Sequence, residues 1–95
     1  MLTSKQRAAL KSMANTLEPI IYVGKAGLTD NVVTQVDEAL TARELIKGTV
    51  QQASPVSAAD MLKALAEATG AEPVMSAGRK FVLYRPRPKE PTIKI

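Results

Sequence analysis

The pattern of apolar and polar positions along the chain predicts three helices and four strands. Apolar residues recur three and four positions apart in three stretches. This spacing predicts helices over residues 4–15, from Thr29 to about Ala42, and in the segment that ends at Gly70. Short apolar runs predict strands at residues 20–23, 44–51, 74–76 and 80–85. The predicted order is therefore α-β-α-β-α-β-β.

This order of elements predicts an α/β fold in a single compact domain. Strands that alternate with helices favour right-handed crossovers and parallel pairing, whereas the tight turn at Ala77-Gly78 joins the last two strands into an antiparallel hairpin. We expect a mixed four-stranded sheet with the second and third helices on one face. The first helix should cover part of the other face or an edge, because the strands are too apolar to face water. The residues expected to be mostly buried are Ile20, Val23, Val33, Val36, Leu40, Ile46, Leu62, Leu65, Phe81 and Leu83.

Polar residues before each helical stretch indicate where the helices begin. Thr3 and Gln6 have the spacing of a capping box at the first helix. Thr29 is the expected cap of the second helix. Ser54, followed by Pro55, is the expected cap of the third helix, since proline is well tolerated in a first turn.

The composition excludes several classes of chemistry. The 95 residues include no cysteine and no histidine, so disulfides, thiolate metal sites, cysteine nucleophiles and histidine bases are all excluded. Asp37 and Glu38 are adjacent on a helix, so their carboxylates diverge and favour solvation over acid–base chemistry. We therefore predict a protein that is not an enzyme and needs no metal or other cofactor. No apolar run reaches the length of a membrane span and no apolar signal segment opens the chain, so we expect a cytoplasmic protein.

The charges are distributed unevenly along the chain. Residues 1–25 carry a net charge of +3 and residues 79–95 a net charge of +5, whereas residues 26–78 carry −4. Two basic ends around an acidic middle suggest a polyanion that approaches one side of the molecule. A solvated surface with a basic tail would give the same pattern, and that interpretation stays open here.

A glycine turn follows the first predicted strand. Gly24, Lys25, Ala26 and Gly27 lie between that strand and the next helix, where glycines allow a sharp turn and a close approach of a ligand. The following helix N-terminus and the Lys25 charge make the turn a plausible cradle for a phosphate group. The alternative is a strand-to-helix connection that uses glycine for its geometry alone.

Five short pieces of the chain, taken in order, resemble one known family. They are Leu2-Thr3-Ser4-Lys5-Gln6-Arg7, Val23-Gly-Lys-Ala-Gly-Leu-Thr29, Glu44-Leu45-Ile46-Lys47, Thr69-Gly70-Ala71 and Leu83-Tyr84-Arg85-Pro86. No single piece is specific. As a set over residues 2–86, they are similar to the CRM domain (chloroplast RNA splicing and ribosome maturation) in its bacterial stand-alone, YhbY-like form.

The resemblance implies a fold like the C-terminal domain of bacterial translation initiation factor three. It also implies RNA binding through a Gly-x-x-Gly loop, used as in KH domains, which here is Gly24, Lys25, Ala26 and Gly27. The basic surface implied around this loop consists of Arg7, Lys11, Arg79, Lys80 and Arg85. Bacterial members look like factors bound to precursors of the large ribosomal subunit. The expected partner is therefore ribosomal RNA of such a precursor, bound by a monomer, with no membrane contact.

Two features depart from the family's pattern. Gly48 stands where we associate a bulkier residue, and in mid-strand it indicates a bulge or a close approach of another group. The proline-rich basic segment 87–95 is not part of the family core. We therefore predict a CRM-like RNA-binding domain over residues 1–86 and a weakly ordered tail over residues 87–95.

RNA binding with little sequence preference is the predicted function, because phosphate contacts carry little sequence information. The runner-up is a ribosome-associated protein-interaction module that uses the acidic middle of the chain. A nuclease or other enzyme ranks third, because no catalytic constellation is visible. The chain has only three aromatic residues, Tyr22, Phe81 and Tyr84, so a stacking platform for bases would be thin. Of these, Phe81 is expected in the core, and Tyr84 could stack on RNA, although aromatic residues in strands more often pack.

Overall fold

The computed structural model of the chain describes residues 2–87 and Ile93. Its elements are α1 (Ser4–Ala14), β1 (Ile21–Val23), α2 (Asp30–Arg43), β2 (Leu45–Val50), α3 (Ala58–Thr69), β3 (Glu72–Ala77) and β4 (Lys80–Tyr84). The predicted order of elements is confirmed. Apart from the start of α3, the element ends differ from the prediction by one or two residues, as is usual where helices and strands fray. The predicted tail, residues 87–95, lies outside the described residues except for Arg87 and Ile93.

The four strands form one mixed sheet in the order β1-β2-β4-β3. β1 and β2 are parallel, and β4 is antiparallel to both β2 and β3. The predicted mixed sheet and the final hairpin are therefore confirmed, and the last strand of the chain takes an inner position. β3 is longer than predicted because it begins at Glu72, and its register with β4 shifts between Pro73 and Met75.

Helices cover both faces of the sheet. Apolar residues of α2 and α3 form one core with alternate residues of β1, β2 and β4, among them Ile46 and Leu83. On the opposite face, Leu10 and Ala14 of α1 form a second core with residues that point the other way, such as Val82. The expected positions of all three helices are confirmed. Because side chains alternate between the faces of a strand, β2 and β4 each contribute to both cores.

Eight of the ten residues predicted to be mostly buried are buried in the first core. The other two, Ile20 and Val33, are partly buried and pack at the margin of this core. Ile20 precedes β1, which is an edge strand with a neighbour on one side only. Val33 lies in the first turn of α2.

Two of the predicted helix caps are present. At α1, the Gln6 amide donates a hydrogen bond to the Thr3 hydroxyl at 3.1 Å, and the Thr3 amide donates one to the Gln6 side chain at 3.0 Å. This reciprocal pair is the predicted capping box. At α2, the Val32 amide donates to the Thr29 hydroxyl at 3.2 Å. Both caps satisfy amides that the first turn of a helix leaves unpaired.

The predicted start of α3 was wrong. Ser57 is the N-cap, and its hydroxyl accepts a hydrogen bond from the Asp60 amide at 3.2 Å. The Ser54 hydroxyl instead accepts from the Val56 amide at 3.1 Å and donates to the Val56 carbonyl at 2.9 Å. A serine can make such local bonds in a tight turn as well as at a helix start, so both serines fit the sequence signal. The end of α3 at Gly70, with φ +72°, agrees with the prediction.

Gly48 leaves space for an aromatic ring that extends over it from the neighbouring strand. It pairs with Phe81 of β4, and a Cβ atom placed on Gly48 would lie 2.3 Å from Phe81 Cζ. The ring therefore occupies the volume that a side chain at residue 48 would fill, and Phe81 itself is 1% exposed. The predicted close approach is confirmed, and it gives a physical reason for glycine at this position.

Glu44 is a buried acidic residue at the junction of α2 and β2. It is the one residue between the two elements and has a φ of 66°, which non-glycine residues rarely adopt. Its carboxylate accepts hydrogen bonds from the amide of Arg87 at 3.0 Å and from the amide of Ile93 at 3.2 Å. Ile93 also packs at the margin of the core beneath α1. Glu44 thereby connects the chain after β4 to the body of the domain.

Candidate nucleic-acid interface

The predicted glycine loop forms a tight turn directly after β1. The Gly27 amide donates to the Gly24 carbonyl at 3.0 Å, which closes a turn of four residues. Gly27 has a φ of +67°, a conformation that favours glycine. Lys25 and Ala26 at the tip are exposed. The turn thus combines a compact backbone with one solvent-facing cation.

The loop between β2 and α3 supports the glycine turn. A Cβ atom on Gly27 would lie 3.1 Å from Pro55 Cγ, so both the backbone conformation and the available space favour glycine there. The Gln51 amide donates to the Val23 carbonyl at 2.7 Å and connects the end of β1 to the end of β2. A Cβ atom on Gly24 would lie 2.9 Å from Gln51 Oε1, which is the flexible end of a side chain. Gly27 is therefore the more constrained of the two glycines.

The N-terminus of α2 contributes less positive charge to the turn than the sequence suggests. α2 begins at Asp30, so Leu28 and the cap residue separate the helix from the glycine turn. The cap, Thr29, already accepts an amide hydrogen bond, and Asp30 places a carboxylate in the first turn. Both features offset the partial positive charge of a helix N-terminus. Lys25 is therefore the main positive group of the turn itself.

The turn between β3 and β4 brings a second cation to the same end of the sheet. Gly78 has a φ of +59°, and Arg79 follows it. The Arg79 carbonyl accepts hydrogen bonds from the Val50 amide at 2.7 Å and from the Thr49 hydroxyl at 3.4 Å. Arg79 thus lies beside the end of β2 that Gln51 connects to the glycine turn. A groove of about 330 Å³ runs between this turn and the β2–α3 loop.

One row of residues crosses three strands near this end, on the α1 side of the sheet. Tyr22 of β1 pairs with Thr49 of β2, and Thr49 pairs with Lys80 of β4. The adjacent residues Val23 and Val50 lie in the opposite core, so this row points to the α1 side. Tyr22 and Lys80 are exposed.

The end of α1 adds positive charge to the same side of the sheet. The Lys47 ammonium donates to the Ala14 carbonyl at 3.3 Å, and Lys47 and Lys80 line a small cavity together with Asn15. Lys11 is exposed and lies four residues before Asn15, on the same flank of the helix. The three lysines therefore belong to one region of the surface.

Arg7 is placed differently from Lys11. It is half buried on the stripe of α1 that faces the sheet, three residues before Leu10. Its Nε atom is buried and has no hydrogen-bond partner within the described part of the chain. Only part of its guanidinium is thus available to a ligand.

Arg85 lies at the opposite end of the sheet from the glycine turn. β4 begins at Lys80, so Arg85 is about 16 Å further along the strand direction. Its guanidinium donates to Asp37 Oδ1 at 2.7 Å, to the Thr69 carbonyl at 2.7 Å and to the Thr41 hydroxyl at 2.9 Å. These bonds join the end of β4 to α2 and α3. The structure therefore does not bring Arg85 together with the other predicted basic residues.

Comparison with known proteins identifies the family. The family model described as the CRS1 / YhbY (CRM) domain matches residues 2–85. The chain belongs to this family. It is 44% identical over 85 residues to "Probable RNA-binding protein YqeI" of Bacillus subtilis, with 90% of this chain and 88% of that relative covered. It is 36% identical over 85 residues to a Haemophilus influenzae protein named "RNA-binding protein", with 90% and 86% covered.

A solved structure supports the same assignment for this CRM domain. The solution structure of a hypothetical Staphylococcus aureus protein, proposed to bind RNA, matches it with a TM-score of 0.84 at 37% identity. The match covers 100% of this chain and 99% of the other. The family and the fold expected from the sequence are therefore confirmed.

The described part of this CRM domain contains no helix that is long and apolar enough to cross a membrane. Among the same residues, no group of three or more Asp and Glu side chains is placed to hold a metal ion.

Sequence reasoning missed two residues of this surface. Tyr22 is 58% exposed, although the strands were expected to be too apolar to face water. The alternation of buried Ile21 and Val23 about Tyr22 is the signal that could have found it. The second missed residue, Lys47, could have been found from the same alternation in β2. Tyr84 is 5% exposed in the core beneath α1, so it packs, as aromatic residues in strands more often do, and it is not placed to stack on RNA.

Proposed function

We propose that this CRM domain binds RNA through the glycine turn and the basic residues at the same end of the sheet. The observation that supports the proposal is that the glycine turn with Lys25 and the β3–β4 turn with Arg79 both adjoin the end of β2, and that β4 begins with Lys80 at the same end of the sheet. The names of the two relatives, both described as RNA-binding proteins, support RNA as the class of ligand.

The chemistry of this end of the sheet suits a phosphate backbone. Lys25 and Ala26 are exposed at the tip of the turn, so a phosphate group can reach the tip, whereas Gly24 and Gly27 shape the turn behind it. Lys25 and Arg79 offer cationic hydrogen-bond donors for phosphate oxygens. Contacts of this kind position a nucleic acid and carry little sequence information. The domain therefore binds with weak sequence preference and with an affinity that falls as salt rises.

We further propose that the RNA is ribosomal RNA in precursors of the large subunit, bound by a cytoplasmic monomer. The support for this target is the likeness to bacterial stand-alone members of the family. The domain acts by binding and carries out no chemistry on the RNA, since the sequence lacks the histidine and cysteine side chains on which much catalysis depends.

The test of the interface is Lys25→Ala, measured as RNA affinity over a series of salt concentrations. Loss of one ionic contact should weaken binding and reduce the slope of log affinity against log salt by about one unit. The fold should survive, because Lys25 is exposed at the tip of the turn. Gly27→Asp should weaken binding more, since it adds a negative charge and a side chain beside Pro55. Thermal melting of each variant separates lost binding from lost folding.

The matched control is Lys63→Ala. Lys63 is an exposed lysine on α3, in the acidic middle of the chain, and its removal should leave RNA affinity nearly unchanged. If Lys25→Ala and Lys63→Ala both bind ribosomal RNA as tightly as the parent, the turn is only a connection. Binding to ribosomal particles that does not respond to salt would favour the protein-interaction module instead.

A further inference from the structure

Tyr22 is the exposed aromatic residue of this domain. All three aromatic residues of the chain lie in the described part: Phe81 is 1% exposed and Tyr84 is 5% exposed, whereas Tyr22 is 58% exposed. Tyr22 lies on the α1 side of the sheet. α1 packs against β2, β3 and β4, so this helix leaves the surface of β1 open.

The tyrosine ring is held in a defined position. Its hydroxyl donates a hydrogen bond to the Pro19 carbonyl at 3.1 Å, so the side chain lies back along the start of β1. A ring that is fixed at both the backbone and the hydroxyl has lost most of its rotational freedom before any ligand binds. This lowers the entropic cost of using it as a contact surface.

The neighbours of Tyr22 favour a polyanion over an apolar partner. Thr49 and Lys80 follow it across the sheet in register, and Lys80 is two strands away, at about 10 Å. Along the chain, Tyr22 is two residues before Gly24, where the glycine turn begins. Tyr22 thus exposes an aromatic ring in one row with a polar and a cationic residue, which is the pattern of sites that bind single-stranded nucleic acid.

We propose that Tyr22 stacks on a base of a single-stranded RNA segment whose phosphates contact Lys25 and Lys80. This inference rests on the proposed function, and it adds a base contact to an interface otherwise made of phosphate contacts. Stacking on an aromatic ring tolerates any base, because every base has a π-face. The contact therefore selects single-stranded over double-stranded RNA and does not select a sequence.

The first experiment uses tryptophan as a reporter. The chain contains no tryptophan, so Tyr22→Trp introduces a single one at the proposed stacking position. Single-stranded oligoadenylate should quench its fluorescence, and an abasic oligomer of the same length should not. The matched control is Met13→Trp, because Met13 is 39% exposed and lies on the flank of α1 beside Arg43. Its fluorescence should not respond to either oligomer.

The second experiment separates stacking from charge. Tyr22→Ala should weaken binding of oligoadenylate at least about fivefold, since stacking contributes about 1–3 kcal/mol per base. The salt slope should not change, whereas Lys80→Ala should reduce it by about one unit. Tyr22→Phe keeps the ring and loses only its anchor, so it should bind within about twofold of the parent.

Each outcome decides the proposal. If the parent and Tyr22→Ala bind oligoadenylate equally and the reporter is not quenched, Tyr22 does not stack, and the proposed function stands without it. If the parent binds no RNA in the same assay, both proposals fail. A change in oligomeric state for Tyr22→Ala, measured by light scattering, together with unchanged RNA affinity would assign the ring to a contact between two copies of the chain and overturn the proposal.

Discussion

The substitution Gly48→Ala tests how the sheet accommodates the Phe81 ring. A Cβ atom at residue 48 would lie 2.3 Å from Phe81 Cζ and 2.7 Å and 2.8 Å from its two Cε atoms. Carbon atoms in contact are ordinarily about 3.5–4.0 Å apart. The ring would therefore have to move by about 1 Å or more. Because Phe81 is 1% exposed and surrounded by the first core, such a movement must displace other core residues.

The expected cost follows from these distances. Overpacking of a core by one methyl group destabilises a protein by about 1–3 kcal/mol, and a contact this short belongs at the upper end. Replacement of glycine in a strand returns about 0.5–1 kcal/mol of backbone entropy. We therefore expect a net loss of about 2 kcal/mol in the free energy of unfolding. For a domain of this size, that loss lowers the melting temperature by roughly 8–16 °C.

The measurement is urea unfolding followed by circular dichroism, in a double-mutant cycle with Phe81→Leu. Phe81→Leu alone should destabilise the domain through the cavity that it leaves. In the double variant, the leucine leaves room for the new methyl group. The sum of the losses in unfolding free energy of the two single variants should then exceed the loss of the double variant by about 1 kcal/mol. The control is Gly70→Ala, where φ is +72° and no atom lies within 4 Å of the added Cβ. Gly70→Ala should destabilise the domain through its backbone conformation alone. Its loss of unfolding free energy should therefore add to that of Phe81→Leu.

Two results would refute this reasoning. One is a Gly48→Ala variant with the same urea midpoint as the parent. The other is strict additivity of Gly48→Ala with Phe81→Leu, which would mean that the ring and the new methyl group do not compete for space.

Two further predictions concern the opposite end of the sheet. Arg85→Ala should lower stability by about 1–2 kcal/mol, with little change in RNA affinity, because its guanidinium joins β4 to α2 and α3; unchanged melting with lost RNA binding would contradict this. Burial, and then the Glu44 carboxylate, raise the pKa of Tyr84 above its ordinary value of 10.0. As pH rises past 10.0, the unfolded chain therefore loses its proton first, and stability should fall by at most about 1.4 kcal/mol per pH unit. Urea midpoints from about pH 9 to pH 11 should fall less steeply for Tyr84→Phe, and equal slopes would count against the prediction.

The elements of the fold could be predicted because each is encoded by local spacing. The capping box at Thr3 and Gln6 and the glycine stop at Gly70 are short-range signals, and both are present. The start of α3 was misplaced because Ser54 and Ser57 satisfy the same local rule. The inner position of β4 follows from pairing between residues far apart in the sequence, which local spacing does not encode.

The candidate site was only partly predictable for the same reason. The glycine turn is a local motif, and the sequence was enough to find it. Arg79 and Lys80 were predicted from the family resemblance, and the structure adds that they lie at the same end of the sheet as the turn. The resemblance gave Arg85 the same weight, because its hydrogen bonds to Asp37 and Thr69 depend on how three elements meet. Which of these residues contact RNA stays a prediction.

The sheet order also sets when the domain can fold during its own synthesis. β4 leaves the ribosome after the other strands, yet β2 and β3 both pair with it. Before residues 80–84 are made, only β1 and β2 can pair, and β1 is three residues long. A pair this short is unstable in water. Apolar residues of the partly made chain, such as Leu45 and Leu65, therefore stay exposed until β4 emerges, and a nascent chain that stalls before residue 80 presents them to chaperones. Both cores contain residues of β4, so neither core is complete before that strand emerges.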